Sequence, residues 1–313
     1  MHNDIMIVNY PLLIDGGLSN VLEEQGYDLN HKLWSAKLLE SKPEAIIQAH
    51  YAYLKSGAQC IITSSYQASI LGFMENGYNR AMSEALLLKT VQLAETAIDH
   101  ALEAKLIEFK PLIAASIGPY GAYLADGSEY HGNYGVSDKI LKDFHIDRIR
   151  LLDVSNVDFF ACETIPSIQE AKVLSEILTK TNKSAWVSFS CKDEHHLNDG
   201  TNIEECVSIF TNHPNVFAIG VNCTAPKYIS ELIKSIKLKS GSKKIVVYPN
   251  SGEAYNAESK TWLGLSNPKL FVDMVEEWEM LGADIIGGCC RIGPEHIRSI
   301  SKKINEKVRF RKH

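Results

Sequence analysis

Three cysteines carry the strongest chemical signal in the chain. Cys223 closes Gly220-Val221-Asn222-Cys223, and Cys289 and Cys290 follow Gly287-Gly288. Both segments sit at the ends of apolar runs. Three thiolates fill three positions of a tetrahedral Zn²⁺ and leave the fourth open, which separates a catalytic zinc from a structural one. The interval between Cys223 and Cys289 is far too long for a zinc finger, so only the tertiary fold can unite the thiols. Adjacent cysteines on a regular strand point to opposite faces. The chain must therefore turn irregularly at 289–290, and Gly287 and Gly288 are expected to supply the freedom, including positive φ. Cys60, Cys162 and Cys206 lie in apolar or helical segments and are expected to pack. Cys191 fits neither group.

Two carboxylates occupy similar positions. Asp15 opens Asp15-Gly16-Gly17 and Glu163 stands in Cys162-Glu163-Thr164. A buried acid is costly unless it is paired. Two of them at one mouth would suit an ammonium group such as that of an amino acid, and Gly16 and Gly17 would let a ligand approach the backbone. Taken singly, each has a plainer role: Asp15 as a turn cap, Glu163 as an acceptor for local amides. His195-His196 lie in a polar loop and are read as solvated.

These residues need elements to position them. Apolar runs rich in Ile, Val, Ala and Phe occur at 8–14, 60–63, 112–117, 158–162, 185–189, 216–221, 245–248 and 284–286. Near-continuous runs of this kind are strands buried on both faces, as in parallel sheets. Helical segments alternate with them. Pro43, Pro226, Pro268 and Pro294 mark helix starts; Gly57, Gly241 and Gly282 mark helix ends. The stretch 79–103 is one long helix, and Ser167 with Glu170 fits a capping box. Eight such units, about 39 residues each, specify one (β/α)₈ TIM barrel domain over 1–313 with elaborated βα loops. A doubly wound open sheet is the alternative, but no strand is followed by a glycine-rich dinucleotide fingerprint. In a barrel the strand ends share one rim, so the thiols and acids would meet there.

Composition narrows the partners. The chain of 313 residues is 45% hydrophobic and 22% charged, with a formal net charge of −6 and pI near 6.0. That balance suits a soluble globular protein and argues against nucleic acid. No apolar stretch reaches the roughly 18 residues of a membrane span, and residues 1–13 lack a secretory pattern. A cytoplasmic location is expected, and seven cysteines without framework spacing fit a reducing compartment.

Together the motifs resemble the homocysteine S-methyltransferase family. The resemblance runs from Asp15-Gly16-Gly17 to Pro294-Glu295-His296. Gly220-Val221-Asn222-Cys223 and Gly287-Gly288-Cys289-Cys290 are its most specific parts. Tyr66-Gln67-Ala68, Gly118-Pro119-Tyr120-Gly121 and Pro249-Asn250-Ser251-Gly252-Glu253 are also similar. The resemblance implies a (β/α)₈ barrel with Zn²⁺ bound through Cys223, Cys289 and Cys290, and homocysteine as the fourth sulfur ligand. It implies that Asp15 and Glu163 anchor the substrate, with Gly16 and Asn222 in the same binding site. The chain looks closest to short members whose methyl donor is a sulfonium, S-methylmethionine or S-adenosylmethionine. Tyr66, Tyr120 and Tyr248 stand where aromatic faces would meet such a cation. The competing readings are a barrel methyltransferase with another donor such as betaine, and a non-enzymatic zinc protein with a fourth protein ligand. A Schiff-base aldolase would need a lysine at a strand end, and none is found there.

Overall fold

The computed structural model describes residues 11–29, 33–252, 254–256, 261–263 and 267–311. The start of the first apolar run, at 8–10, and Glu253 lie outside them. Among the described residues eight parallel strands form one sheet: β1 (Leu12–Leu13), β2 (Cys60–Ile62), β3 (Leu112–Ile117), β4 (Phe159–Ile165), β5 (Ala185–Phe189), β6 (Val216–Asn222), β7 (Lys244–Tyr248) and β8 (Ile285–Ile286). Each pairs with its neighbour in chain order, and β8 returns to pair with β1. The circuit closes between β1 and β2, where Gln59 N donates to Leu13 O at 2.7 Å and Asp15 N to Cys60 O at 3.2 Å. A doubly wound sheet has two open edges; this one is a barrel.

Burial explains the composition of the strands. Inside the barrel Ile14, Cys60, Ala114, Phe159, Ala161, Trp186, Ala218 and Val246 form a packed interior. The opposite strand faces, with Cys162 and the inner sides of the helices, form a larger shell that also takes in Cys206. Cys60, Cys162 and Cys206 are thus packing residues. Helices start and stop at the expected punctuation. Pro43, Pro226 and Pro268 are the first residues of their helices, and Gly57, Gly241 and Gly282 adopt positive φ after helix ends. The long helix Arg80–Glu103 is capped by Asn79, whose side chain accepts from Met82 N.

Two local expectations are corrected. The apolar run of the fourth strand ends at Cys162, yet β4 continues through Glu163 and Thr164 to Ile165. Its register against β5 shifts between Cys162 and Ile165, and Thr164 sits at φ +60°. This bulge re-aims the strand end, as bulges beside sites commonly do. The capping box at Ser167 is only half formed. Ser167 Oγ accepts from Glu170 N at 3.3 Å, but the Glu170 carboxylate turns inward. There it accepts from Tyr120 N, Tyr134 Oη and His145 Nε2 at 2.6, 2.9 and 2.8 Å. Arg148, fully buried, donates to His145 Nδ1 and to Gly118 O. The buried acid and guanidinium are linked through the ring and so fix the loop after β3, while Arg148 Nε and Nη1 are buried without a partner.

Candidate active site

The end of β6 and the end of β8 bring three sulfurs to the C-terminal rim. Cys223 leaves its strand in the left-handed region, at φ +48°, and its amide donates to Tyr248 O at 3.2 Å. Cys289 N donates to Pro249 O at 2.8 Å, and Cys290 O accepts from Ser251 N at 3.1 Å. The loop after β7 therefore clamps both cysteines. The expected positive φ at Gly287 and Gly288 is absent; Arg291, at φ +67°, makes the turn. The glycines are required by space instead. A Cβ on Gly287 would strike Ile14 and Asp15 O, and one on Gly288 would strike Ile292.

All three Sγ atoms lie within 4.8 Å of one another, with Cys223–Cys290 at 3.7 Å and Cys289–Cys290 at 4.0 Å. Tetrahedral Zn–S bonds of about 2.3 Å place neighbouring sulfurs about 3.8 Å apart, so the donor set and its spacing fit such an ion. Hydrogen bonds from Cys223 and Cys289 pull the Cys290 thiol well below its usual range, while those same contacts and burial push Cys223 up. Three thiols at this separation cannot all ionise without a cation between them. Among the described residues no fourth His, Cys, Asp or Glu joins the group.

The two acids stand in the same cavity of about 780 Å³. Asp15 is 2% exposed; its Oδ2 accepts from Ile62 N at 2.9 Å, and its Oδ1 has no partner. Burial, and then the nearby Glu163 charge, push Asp15 well above the usual carboxylate range. Glu163 accepts from Ser116 Oγ. Burial pushes it up to about 8. Two buried carboxyls side by side, one with a free oxygen, form a site short of a cation. Gly16 lines the cavity beside them and packs against Ile292 O and the Tyr53 ring.

Asn222 is fully buried, and its amide is used internally. Oδ1 accepts from Thr164 N at 2.7 Å and Ser188 Oγ at 2.8 Å; Nδ2 donates to Thr164 Oγ1 at 2.7 Å and lies 4.0 Å from Cys289 Sγ. It ties the β4 bulge to β5 and β6 directly beneath the thiols. Of the three tyrosines, Tyr66 and Tyr248 line the cavity, whereas Tyr120 packs against Tyr123, Tyr134 and Phe144. Cys191 is buried and its amide donates to Thr224 Oγ1, so it too is a packing residue. His195 is exposed, and His196 pairs with Asp193 on the surface.

Sequence reasoning passed over several lining residues. Ser116 is hidden inside an apolar strand. Asn20, in the helix Leu18–Glu24, accepts from Arg291 N at 3.0 Å and leaves its buried Nδ2 free. Glu129 and Tyr130 come from the short turn Ser128–Tyr130 in the loop after β3. Only the loop's length hinted at a role.

A parallel barrel whose rim gathers three thiols and two buried acids defines a barrel with a metal-competent site at its C-terminal mouth. A sequence profile described as homocysteine S-methyltransferase matches residues 12–304. The chain belongs to the homocysteine S-methyltransferase family and is a methyltransferase. It is 45% identical over 297 residues to homocysteine S-methyltransferase YbgG of Bacillus subtilis (strain 168), covering 93% of this chain and 94% of that protein. It is 43% identical over 310 residues to a selenocysteine methyltransferase of Astragalus bisulcatus, covering 93% and 91%. The metallated form of the homocysteine methyltransferase MmuM from Escherichia coli superimposes with a TM-score of 0.83 at 38% identity, covering 94% and 96%.

Proposed function

We propose that this enzyme moves a methyl group from a sulfonium donor, S-methylmethionine or S-adenosylmethionine, to the thiolate of homocysteine, forming methionine, with Zn²⁺ held by Cys223, Cys289 and Cys290. The observation that carries this reading is the juxtaposition, in one cavity, of a three-thiol cluster and two cation-deficient acids. A zinc ion held there would ionise a coordinated thiol at neutral pH.

The protein's residues do the rest. Asp15 Oδ1 and Glu163 receive the substrate ammonium and so fix where its side chain reaches. Asn222 holds the Glu163–Thr164 bulge in register with the thiols. No general base is needed, because a thiolate carries the attacking electron pair. The new C–S bond forms as the donor's C–S⁺ bond breaks, and that bond pair leaves on a neutral thioether sulfur. Alignment of the three atoms is the main catalytic task. Tyr66, Tyr130 and Tyr248 line the cavity and are the aromatic residues placed to meet the donor's positive charge.

A sulfonium is already activated for displacement, while a methylfolate amine is a poor leaving group. We take S-methylmethionine ahead of S-adenosylmethionine because of the chain's likeness to short sulfonium-using members. The test is methionine formation from homocysteine with each donor alone under matched conditions. Turnover with betaine or methylfolate, and none with either sulfonium, would overturn the donor and leave the thiol site standing. The continuous match over residues 12–304 supports one catalytic domain, and no described helix is long and apolar enough to cross a membrane.

A further inference from the structure

Apart from the Ser64 hydroxyl, the described residues lining the cavity carry two sets of buried oxygens without hydrogen-bond partners. One is Asp15 Oδ1, whose charged neighbours are Glu163 and Cys289. The other is Glu129 Oε2 with Gln67 Oε1, on the loops after β3 and β2. The charged neighbour of Glu129 is Asp126, not the first pair. Gln67, Glu129 and the adjacent Tyr130 line the same cavity as Cys223, Cys289 and Cys290, so this second set shares the space in front of the sulfurs.

The two residues are anchored on neighbouring positions of one loop, Gln67 through its side-chain amide at Ala122 and Glu129 through its main chain at Gly121. Gln67 Nε2 donates to Ala122 O at 2.8 Å, which fixes the amide orientation and leaves Oε1 free to accept. Glu129 O accepts from Asn198 Nδ2 at 3.3 Å, and Gly121 packs against Glu129 N. A carboxylate oxygen and an amide oxygen, sealed from solvent and unpaired, need a donor with several N–H groups and a positive charge.

We infer that Glu129 and Gln67 bind the α-ammonium of the methyl donor, so that the cavity has two amino-acid head sites: one for the acceptor at Asp15 and Glu163, one for the donor. This rests on the sulfonium reading above and sharpens it. The donor is a sulfonium that is also an α-amino acid, and a sulfonium lacking the amino group is a poor substrate. Both S-methylmethionine and S-adenosylmethionine belong to the favoured class.

The test compares S-methylmethionine with its des-amino analogue, in which hydrogen replaces the ammonium, on wild type, Glu129→Gln and Gln67→Met. Loss of a charge-assisted hydrogen bond predicts a rise of roughly 10- to 100-fold in the KM for S-methylmethionine in Glu129→Gln. The des-amino analogue should change less than about threefold, and the KM for homocysteine should stay put. Calorimetric titration of S-methylmethionine onto the same proteins should show the same loss in affinity. An equal loss with both donors, or a rise in homocysteine KM instead, overturns the assignment. S-methylmethionine turned over at unchanged KM by both variants removes this assignment alone. A wild type inert with every sulfonium removes it together with the donor reading.

Discussion

Cys223 and Cys290, separated by 67 positions in the chain, hold their sulfurs 3.7 Å apart. That proximity exists only because β6 and β8 end at one rim with β7 between them. It sets the first prediction. Cys223→Ser, Cys289→Ser and Cys290→Ser should each cut bound zinc from about one per chain and abolish or severely reduce methyl transfer, since serine is a poor substitute for a thiolate ligand. Cys206→Ser should do neither. Elemental analysis after reductive purification, beside the assay, decides it; full zinc in all four variants would contradict the ligand set.

Asp15→Asn and Glu163→Gln should weaken homocysteine while leaving zinc in place. On the proposed reading each removes a carboxylate that pairs with the substrate ammonium and keeps the shape, costing about 1.5–3 kcal/mol. Simple thiols without an amino group serve as the control. If they lose as much as homocysteine does, the ammonium role is wrong.

Asn222→Ala should act through the scaffold. It strips Thr164 N, Thr164 Oγ1 and Ser188 Oγ of their shared partner inside a sealed site. A buried donor left unsatisfied costs about 1–3 kcal/mol, so the urea midpoint should fall along with kcat. An unchanged midpoint with reduced homocysteine binding would make Asn222 a substrate contact instead.

Buried histidines should make the fold acid-sensitive. Burial holds His50 and His145 down to about 4, and His50 has no hydrogen-bond partner on either ring nitrogen. Both are neutral when folded but take up a proton near 6.5 when unfolded. Their stabilisation is therefore complete above about pH 6.5 and is lost as pH falls toward 4. For His50 alone the loss between pH 7 and 5 is about 2 kcal/mol. The buried carboxyls pull the other way, so the useful quantity is the difference between wild type and His50→Leu in urea melts at both pH values. Parallel pH profiles for the two proteins would refute the assignment.

The barrel was legible because double-sided burial writes itself into composition: Leu112–Ile117 and Ala185–Phe189 are apolar but for one serine each. The thiols and Asp15 were legible because they stand just past such runs. The end of β4 was not, since Glu163 and Thr164 are polar residues kept in a strand by a partner, Asn222, that is distant in sequence. Gly287 and Gly288 were found for the wrong reason: Gly287 is crowded by Ile14 across the seam and Gly288 by Ile292 folded back from four residues on, and neither closeness shows in the sequence. Gln67 was legible only as part of the Tyr66-Gln67-Ala68 motif, with no role, and Glu129 was beyond reach. Many loop glutamates and glutamines are solvated, and only three-dimensional closure shows which oxygens lack a partner.

The seam has a consequence for biosynthesis. β1 is paired to β8, and Gly288 N donates to Asp15 O at 3.0 Å, so the first strand translated waits for the last. A ribosome-bound chain that has already made Asp15, Glu163 and Cys223 still has two sulfurs missing and two sheet edges, those of β1 and β6, unpaired. Such a chain exposes strand edges that invite aggregation. The three-thiol cluster is thus completed only at the final stage of synthesis, and a nascent chain stalled before β8 carries one of its three sulfurs and an open sheet.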